Sequence, residues 1–248
     1  MKKSTLVLLS ICVWGRNLDG MLRSKDQKII MTAALVPDAD PRSQARMEQY
    51  IKAFQSLNQY AAGEDAYVVE ALRTQGPTFL EKFIDKDKVF YSTANDLSLK
   101  NRGLNEALTL LEALAHFNFD AETLIIKFTG RYHLLSNHFF NIIKENPGYD
   151  AYLQKFPEGK IGLVAAAMKC KFWKEAYESL DYATLERDNV LLEKALGDFI
   201  AAKIQAGEIK VLWIEKADIG GDNFGTTTFS SVVPVAPSAA PGQTIIKF

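Results

Sequence analysis

One short stretch carries most of the chemistry this sequence offers. In TLIIKFTGRYHL, residues 123–134, an apolar run at Leu124, Ile125 and Ile126 gives way to Lys127, Thr129, Gly130, Arg131 and Tyr132. Lysine brings a point charge, and arginine brings a planar fork of donors that matches an oxyanion bidentately. Glycine lets a ligand approach the backbone closely. A strand that ends in such groups presents them at the edge of a sheet, where a phosphate-bearing ligand would suit them. The plainer alternative is a strand followed by a loop whose cations are solvated.

Other polar residues fall where strands should end. Arg42 and Arg46 follow the strand expected at 28–36. Glu70 lies near the end of the one expected at 66–72, and Asn95, Asn101, Arg102 and Gly103 follow the one expected at 88–93. A carboxylate after a second strand can accept hydrogen bonds from a ribose or a base, and arginines and glycines can hold a diphosphate. Taken alone, a glutamate such as Glu70 is more often a surface residue.

The elements that must position these groups are readable from periodicity. β-branched and apolar runs mark strands at 28–36, 66–72, 88–93 and 124–128, with a short late strand at 210–214. Met47, Tyr50, Ile51, Phe54 and Leu57 recur at helical spacing, as do Leu104, Ala107, Leu108, Leu111 and Leu114 over 104–117. A third amphipathic helix is expected at 189–204, with Leu192, Ala195, Leu196, Phe199 and Ile200 on one face. Pro37 and Pro41 make a loop, and 95–103 is a polar loop. Residues 139–157 are less periodic, and 161–168 reads either as a strand or as the start of a buried helix. Strands alternating with helices imply βα units and a mainly parallel sheet. In such sheets, ligands bind beyond the carboxyl ends of the strands.

Composition sets outer bounds. The chain has 248 residues, 48% hydrophobic and 24% charged, with a net charge of −1, which fits one globular domain with a substantial core. That balance gives no support for nucleic-acid binding, which usually shows a basic excess. Cys12 and Cys170 make no disulfide framework. His133 and His138 could pair on a metal, although packing or surface roles account for them more simply. Residues 1–15, MKKSTLVLLSICVWG, have a basic start and an apolar run shorter than the roughly 20 residues that span a bilayer. They read as a targeting segment or as a buried or wrongly extended terminus. The domain boundaries expected are an extension at 1–27, a domain at 28–220 and a flexible tail rich in Pro, Ser, Thr and Ala at 221–248.

The order of segments resembles a known group. KIIMTAALVPD with following arginines, VVEAL, FYSTAND with KNRGLNEAL, LIIKFTGRY and a late LLEKAL helix are similar to small glycosyltransferases of the GT-A nucleotide-diphospho-sugar transferase fold. These enzymes occur in lipopolysaccharide and capsule gene sets. The resemblance covers about residues 28–220, and NRGLNEAL and KFTGRY are its most specific parts. The first is similar to an NKG-type loop before a helix, the second to a K-[ILF]-[ST]-G-R-Y sequence.

The resemblance implies a GT-A-like, Rossmann-like α/β domain with a mainly parallel sheet flanked by helices. It implies a hexosyltransferase-like enzyme of surface polysaccharide or glycoconjugate synthesis. The donor would be a nucleoside diphosphate sugar and the acceptor a glycan or lipid-linked glycan. The enzyme would be cytoplasmic or peripherally membrane-associated, and secreted or lumenal if residues 1–15 act as a signal. Glu70 would contact the nucleoside, and Arg102 and Gly103 would lie near the donor. Lys127, Thr129, Gly130 and Arg131 would face the diphosphate or donor sugar, with Arg46, Asn95, Asn101 and Tyr132 as further substrate-binding residues. Glu193, in the late helix, would be a general base or else an ordinary exposed glutamate.

The chain departs from the pattern at one place. Many such enzymes hold a divalent metal with a DxD motif after the fourth strand, where this chain has KFTGRY. Asp38-Ala39-Asp40 and Asp85-Lys86-Asp87 have the spacing but sit in early loops. Lys127 and Arg131 could neutralise the diphosphate instead, so no cofactor is expected and manganese or magnesium is not favoured. Two readings from other classes stay open. One is a non-catalytic nucleotide- or glycan-binding protein. The other is a secreted interaction protein, suggested by the N-terminal segment and the tail.

Overall fold

The computed structural model describes residues 27–34, 42–61, 64–71, 78–94, 96, 98–221 and 244–246. The expected N-terminal extension (apart from Gln27), Asn95, Asp38 and Asp40 lie outside them, as does all of the expected tail except Gly221 and residues 244–246.

Strand β1 (Gln27–Ala33) opens the described chain and is followed by α1 (Ser43–Tyr60), β2 (Asp65–Glu70) and β3 (Val89–Tyr91). Then come α2 (Arg102–Phe117), β4 (Leu124–Thr129), β5 (His133–Leu134), α3 (His138–Glu145) and β6 (Ala151–Gln154). The second half holds β7 (Ala165–Lys169), α4 (Cys170–Glu178), α5 (Tyr182–Arg187) and α6 (Leu192–Gln205). It closes with β8 (Val211–Ile214), β9 (Ile219–Gly220) and β10 (Thr244–Ile246).

Among the described residues, eight strands form one sheet in the order β10-β8-β6-β7-β4-β1-β2-β3. Every strand but β7 runs in the same direction. The mainly parallel α/β sheet is therefore present. The four strands expected to share an edge do so, since β1 pairs in parallel with β2 and β4, and β2 with β3. Such strands are covered on both faces, which is why they read as continuous apolar runs. Ile29, Ile30 and Met31 of β1 are all buried.

Two cores flank the sheet. One face packs against α1 and α3 through Tyr50, Phe54, Leu57, Phe139 and Ile142, together with Ile126 and Phe128 of β4. The other packs against α2, α4 and α6 through Leu110, Leu114, Trp173, Leu192 and Ile200. Period-two alternation along β4 therefore places Lys127, between Ile126 and Phe128, on the α2 side.

Several boundaries differ from the expected ones. α2 begins at Arg102, inside the span read as a loop, because Asn101 caps it by accepting from the Gly103 N–H at 3.2 Å. The second half of the 161–168 segment falls in the antiparallel strand β7 and not in a helix. The weakly periodic 139–157 span holds α3 and β6. Within the expected tail, residues 244–246 add a strand beside β8.

Candidate functional site

The chain builds β1, β2 and β3 outward on one side of β1, then returns to the other side as β4. Such a reversal leaves a crevice outside the carboxyl ends of the two central strands, and ligands of open α/β sheets bind there. At this point Gly130 N donates to Thr32 O at 3.0 Å, just past the end of β4. Tyr132 N donates to Thr129 O at 3.0 Å, closing the turn that carries Arg131.

The α1 side of the crevice is cationic and aromatic. Tyr50 is almost wholly buried, and its hydroxyl accepts from Ala34 N at 2.6 Å. Burial raises the Tyr50 pKa, the Ala34 N–H opposes this, the Glu70 carboxylate adds to the rise, and Arg46 and Arg131 counter it. Burial lowers the Arg46 pKa; Tyr50 opposes that shift and the Arg131 cation adds to it. Arg46, Tyr50, Glu70 and Arg131 therefore lie within electrostatic reach of one another, at the ends of β1, β2 and β4 and the start of α1. Arg131 also lies against the Tyr132 ring at 6.0 Å. Glu70, the last residue of β2, is fully buried.

The α2 side holds a network that sequence reasoning missed. Glu106 Oε1 lies 2.6 Å from Lys127 Nζ, with side-chain exposures of 28% and 1%. It also accepts from Thr32 Oγ1 at 3.2 Å and from Thr129 Oγ1 at 3.5 Å. Lys127 donates further to Thr129 Oγ1 at 2.7 Å and to the Leu163 carbonyl. Burial pushes the Glu106 carboxyl up, but the Lys127 ammonium, the Thr32 hydroxyl and Arg131 more than offset it, and the pKa is lowered. The signal was available: a lysine inside an apolar strand needs a buried partner, and Glu106 sits in the apolar helix that precedes that strand.

The loop from β3 to α2 is clamped from several sides. Glu112 accepts from Ser92 Oγ at 2.6 Å, Thr93 N at 2.9 Å, Thr93 Oγ1 at 2.8 Å and Ala94 N at 3.0 Å. Asn105 exchanges hydrogen bonds with the Asp96 backbone at 2.7 and 2.8 Å. Glu186 accepts from Lys100 N at 2.8 Å and Asn101 N at 3.0 Å.

The expected site residues divide between edge and scaffold. Glu70, Gly130, Arg131 and Tyr132 lie at the carboxyl ends of β2 and β4 and Arg46 near the start of α1; Arg46, Glu70 and Arg131 are each in electrostatic reach of Tyr50, Gly130 abuts its ring, and Tyr132 is buried in the core. Lys127 and Thr129 differ from expectation: strand alternation turns both under α2, where Glu106 and Leu163 take up the ammonium. Asn101 also differs, since its amide donates to Leu185 O at 3.2 Å and Val190 O at 2.7 Å while its oxygen caps α2. At Gly103 a Cβ would meet the Leu192 Cβ at 2.9 Å, so that glycine lets α2 and α6 touch. Arg102 is exposed at the start of α2. Glu193 lies in the first turn of α6, its backbone carbonyl accepting from Ile161 N at 3.1 Å. Burial raises the pKa of Tyr177, and Glu106, Tyr182 and Glu193 add to the rise in that order. Among the described residues no group of three or more His, Cys, Asp or Glu could hold a metal ion, and no helix is long and apolar enough to cross a membrane. Asp85 precedes a short exposed turn at Lys86–Lys88.

No protein-family model and no curated protein matches the chain. Solved structures resemble it in the overall course of the backbone. A protein from Desulfovibrio desulfuricans G20, assigned as a nucleotide-diphospho-sugar transferase, is 10% identical over 76% of this chain and 79% of its own, with a TM-score of 0.49. The galactosyltransferase LgtC, solved with donor and acceptor sugar analogues, is 6% identical over 76% and 73%, with a TM-score of 0.47. Mouse xyloside xylosyltransferase 1 is 11% identical over 77% and 85%, with a TM-score of 0.45.

Proposed function

We propose that the chain is a glycosyltransferase that takes a nucleoside diphosphate sugar at the crevice between β1 and β4. The supporting observation is that the turn carrying Arg131 is fixed against α1 at the ends of β1 and β4: Gly130 N donates to Thr32 O at 3.0 Å, a Cβ at Gly130 would lie 2.8 Å from the ring of Tyr50, and Arg46 lies one helical turn before Tyr50. Two cations held together at a sheet's switch point favour a polyanion between them. Guanidinium groups suit diphosphate oxygens because their donors pair bidentately with them. In this reading Glu70 and Tyr50 line the nucleoside side, and residues 92–94, 96 and 98–101 form a firm rim.

The transfer balances without a cofactor. The bond from the anomeric carbon to the β-phosphate oxygen breaks, and its electron pair leaves on the diphosphate, where Arg46 and Arg131 stabilise the charge. The acceptor hydroxyl oxygen bonds to the anomeric carbon, and its proton passes to a carboxylate. We assign that base to Glu193, because α6 begins against the start of α2 at Leu192 and Gly103, on the same edge of the sheet. Arginines in place of a DxD motif make donor binding independent of metal. The sugar is a hexose, the acceptor a glycan or lipid-linked glycan of a surface polysaccharide, and any membrane contact is peripheral.

A thermal-shift screen against a panel of nucleoside diphosphate sugars tests the reading. A donor at 100 times its dissociation constant should stabilise the fold by about 2.7 kcal/mol. No stabilisation by any donor or by the free nucleoside diphosphates refutes it. A donor that binds but is never hydrolysed or transferred would leave a nucleotide-binding protein without catalysis.

A further inference from the structure

We propose that Glu106 is a positioning residue, which through its ion pair with Lys127 fixes the ends of β1 and β4 against α2 and so aims Arg131 into the crevice. The inference rests on the diphosphate site proposed above.

The geometry is a cross-link centred on one carboxylate oxygen. Glu106 Oε1 reaches Lys127 Nζ at 2.6 Å and Thr32 Oγ1 at 3.2 Å, tying α2 to both central strands. Lys127 carries the tie to Thr129 Oγ1 at 2.7 Å and to the Leu163 carbonyl. Thr129 N donates to Val164 O at 2.8 Å, so the residue is held from its side chain and its backbone. The turn bearing Gly130 and Arg131 starts at this residue and closes back on it through Tyr132 N. Any change in the spread of the two strand ends therefore moves Arg131.

Stability alone does not explain such a pair. A buried ion pair usually does no better than well-packed apolar residues of the same volume, whereas losing one partner is costly. What the pair supplies beyond packing is a fixed geometry. The two roles can be separated, because replacing both partners by apolar residues removes the geometry and leaves no buried charge.

The test uses isothermal titration of inorganic pyrophosphate and thermal melting on the same samples. We expect Glu106→Leu/Lys127→Met to melt close to wild type and to bind pyrophosphate at least tenfold more weakly. Arg131→Ala should then cost less in this background than in the wild type, since its aim is already lost. Should the double variant fail to fold, Thr129→Val decides. It keeps the ion pair, removes the hydroxyl that passes it to the turn, and should weaken pyrophosphate binding at least threefold with melting unchanged. Wild-type affinity in a folded double variant, or a lower melting temperature with affinity unchanged, overturns the positioning role alone. Failure of the wild type to bind pyrophosphate or any nucleoside diphosphate removes the proposed function, and the inference with it.

Discussion

Gly130 offers a sharp test of which neighbour its missing side chain serves. A Cβ at this position would lie 2.8 Å from two carbons of the Tyr50 ring and 2.9 Å from Thr32 O. Ordinary carbon contacts sit at about 3.5–4.0 Å, so something must move by more than half an ångström. Tyr50 has little freedom, because it is 1% exposed and its hydroxyl is anchored to Ala34 N at 2.6 Å. Thr32 O belongs to a central strand and accepts from Gly130 N at 3.0 Å. Overpacking a tight interior costs about 1–3 kcal/mol, and loss of the Tyr50 hydrogen bond adds about 1 kcal/mol. Gly130→Ala should therefore destabilise by about 2–4 kcal/mol. For a chain of this size that lowers the melting temperature by about 4–16 °C. Scanning calorimetry of the single variant, of Tyr50→Leu and of the double measures it. The double should recover part of the loss, because leucine makes room for the added methyl. A Gly130→Ala protein that melts within about 2 °C of wild type and binds donor poorly would show that the glycine serves the ligand and not the tyrosine.

Arg131→Lys should not be conservative: it keeps the charge but loses the fork, and a charge-assisted contact of roughly 1.5–3 kcal/mol converts to a 10- to 100-fold loss of donor affinity at unchanged melting temperature. A lower melting temperature with affinity intact would make Arg131 structural. Donor binding should survive a chelator in isothermal titration, whereas a complete loss that manganese restores would show the opposite. Asn101→Ala removes the α2 cap and two ties to the 185–190 segment, so stability should drop by about 1–2 kcal/mol, measured by denaturant, with little change in donor affinity. Glu106 titrates below the ordinary glutamate value in the fold. Its stabilisation is therefore complete above the unfolded value of about 4.3 and is lost as pH falls through the lowered folded value. Melting curves between pH 3 and 6, ranges set by that value, should be flatter for Glu106→Leu/Lys127→Met than for wild type. Identical slopes would place the acid dependence elsewhere, for instance at Glu112.

The strands and the site legible in the sequence were those whose signals are local. Unbroken apolar runs marked β1, β2 and β4, and regular spacing marked α1 and α2. What was missed depends on partners distant along the chain. The α3 and β6 span lacks a long periodic run; β6 is fixed by pairing with β7 and β8, and α3 by burying Phe139, Ile142 and Ile143 on the α1 face of the sheet. Asn101 and Gly103 looked like ligand residues because Asn and Gly serve caps, close contacts and ligand loops alike. Only the contacts to Leu185, Val190 and Leu192 tell these roles apart. Lys127 was read by its charge, when its position between Ile126 and Phe128 already turned it away from the α1 side. Glu106 could have been inferred from Lys127, but which carboxylate answers a buried lysine is a question of tertiary structure.

The two edges of the sheet differ in a way that bears on function. At the amino ends of the strands, the charged groups form partly exposed pairs. Asp65 meets Lys28 at 2.6 Å and Lys88 at 3.1 Å, and Lys169 meets Glu122 at 2.7 Å and Asp150 at 2.8 Å. Pairs of that kind contribute little and are easily replaced. At the carboxyl ends, Lys127, Glu70 and the Tyr50 side chain are buried, and the half-buried Arg46 lies one helical turn before Tyr50. Burying such groups is costly unless each is paired, and apolar residues would fill those positions at no loss of stability. A chain that places its expensive polar groups at one edge, and its cheap ones at the other, is organised around what the first edge holds. That edge is where the reversal between β1 and β4 opens the crevice. The asymmetry supports the proposed site at this edge without recourse to any likeness to other proteins.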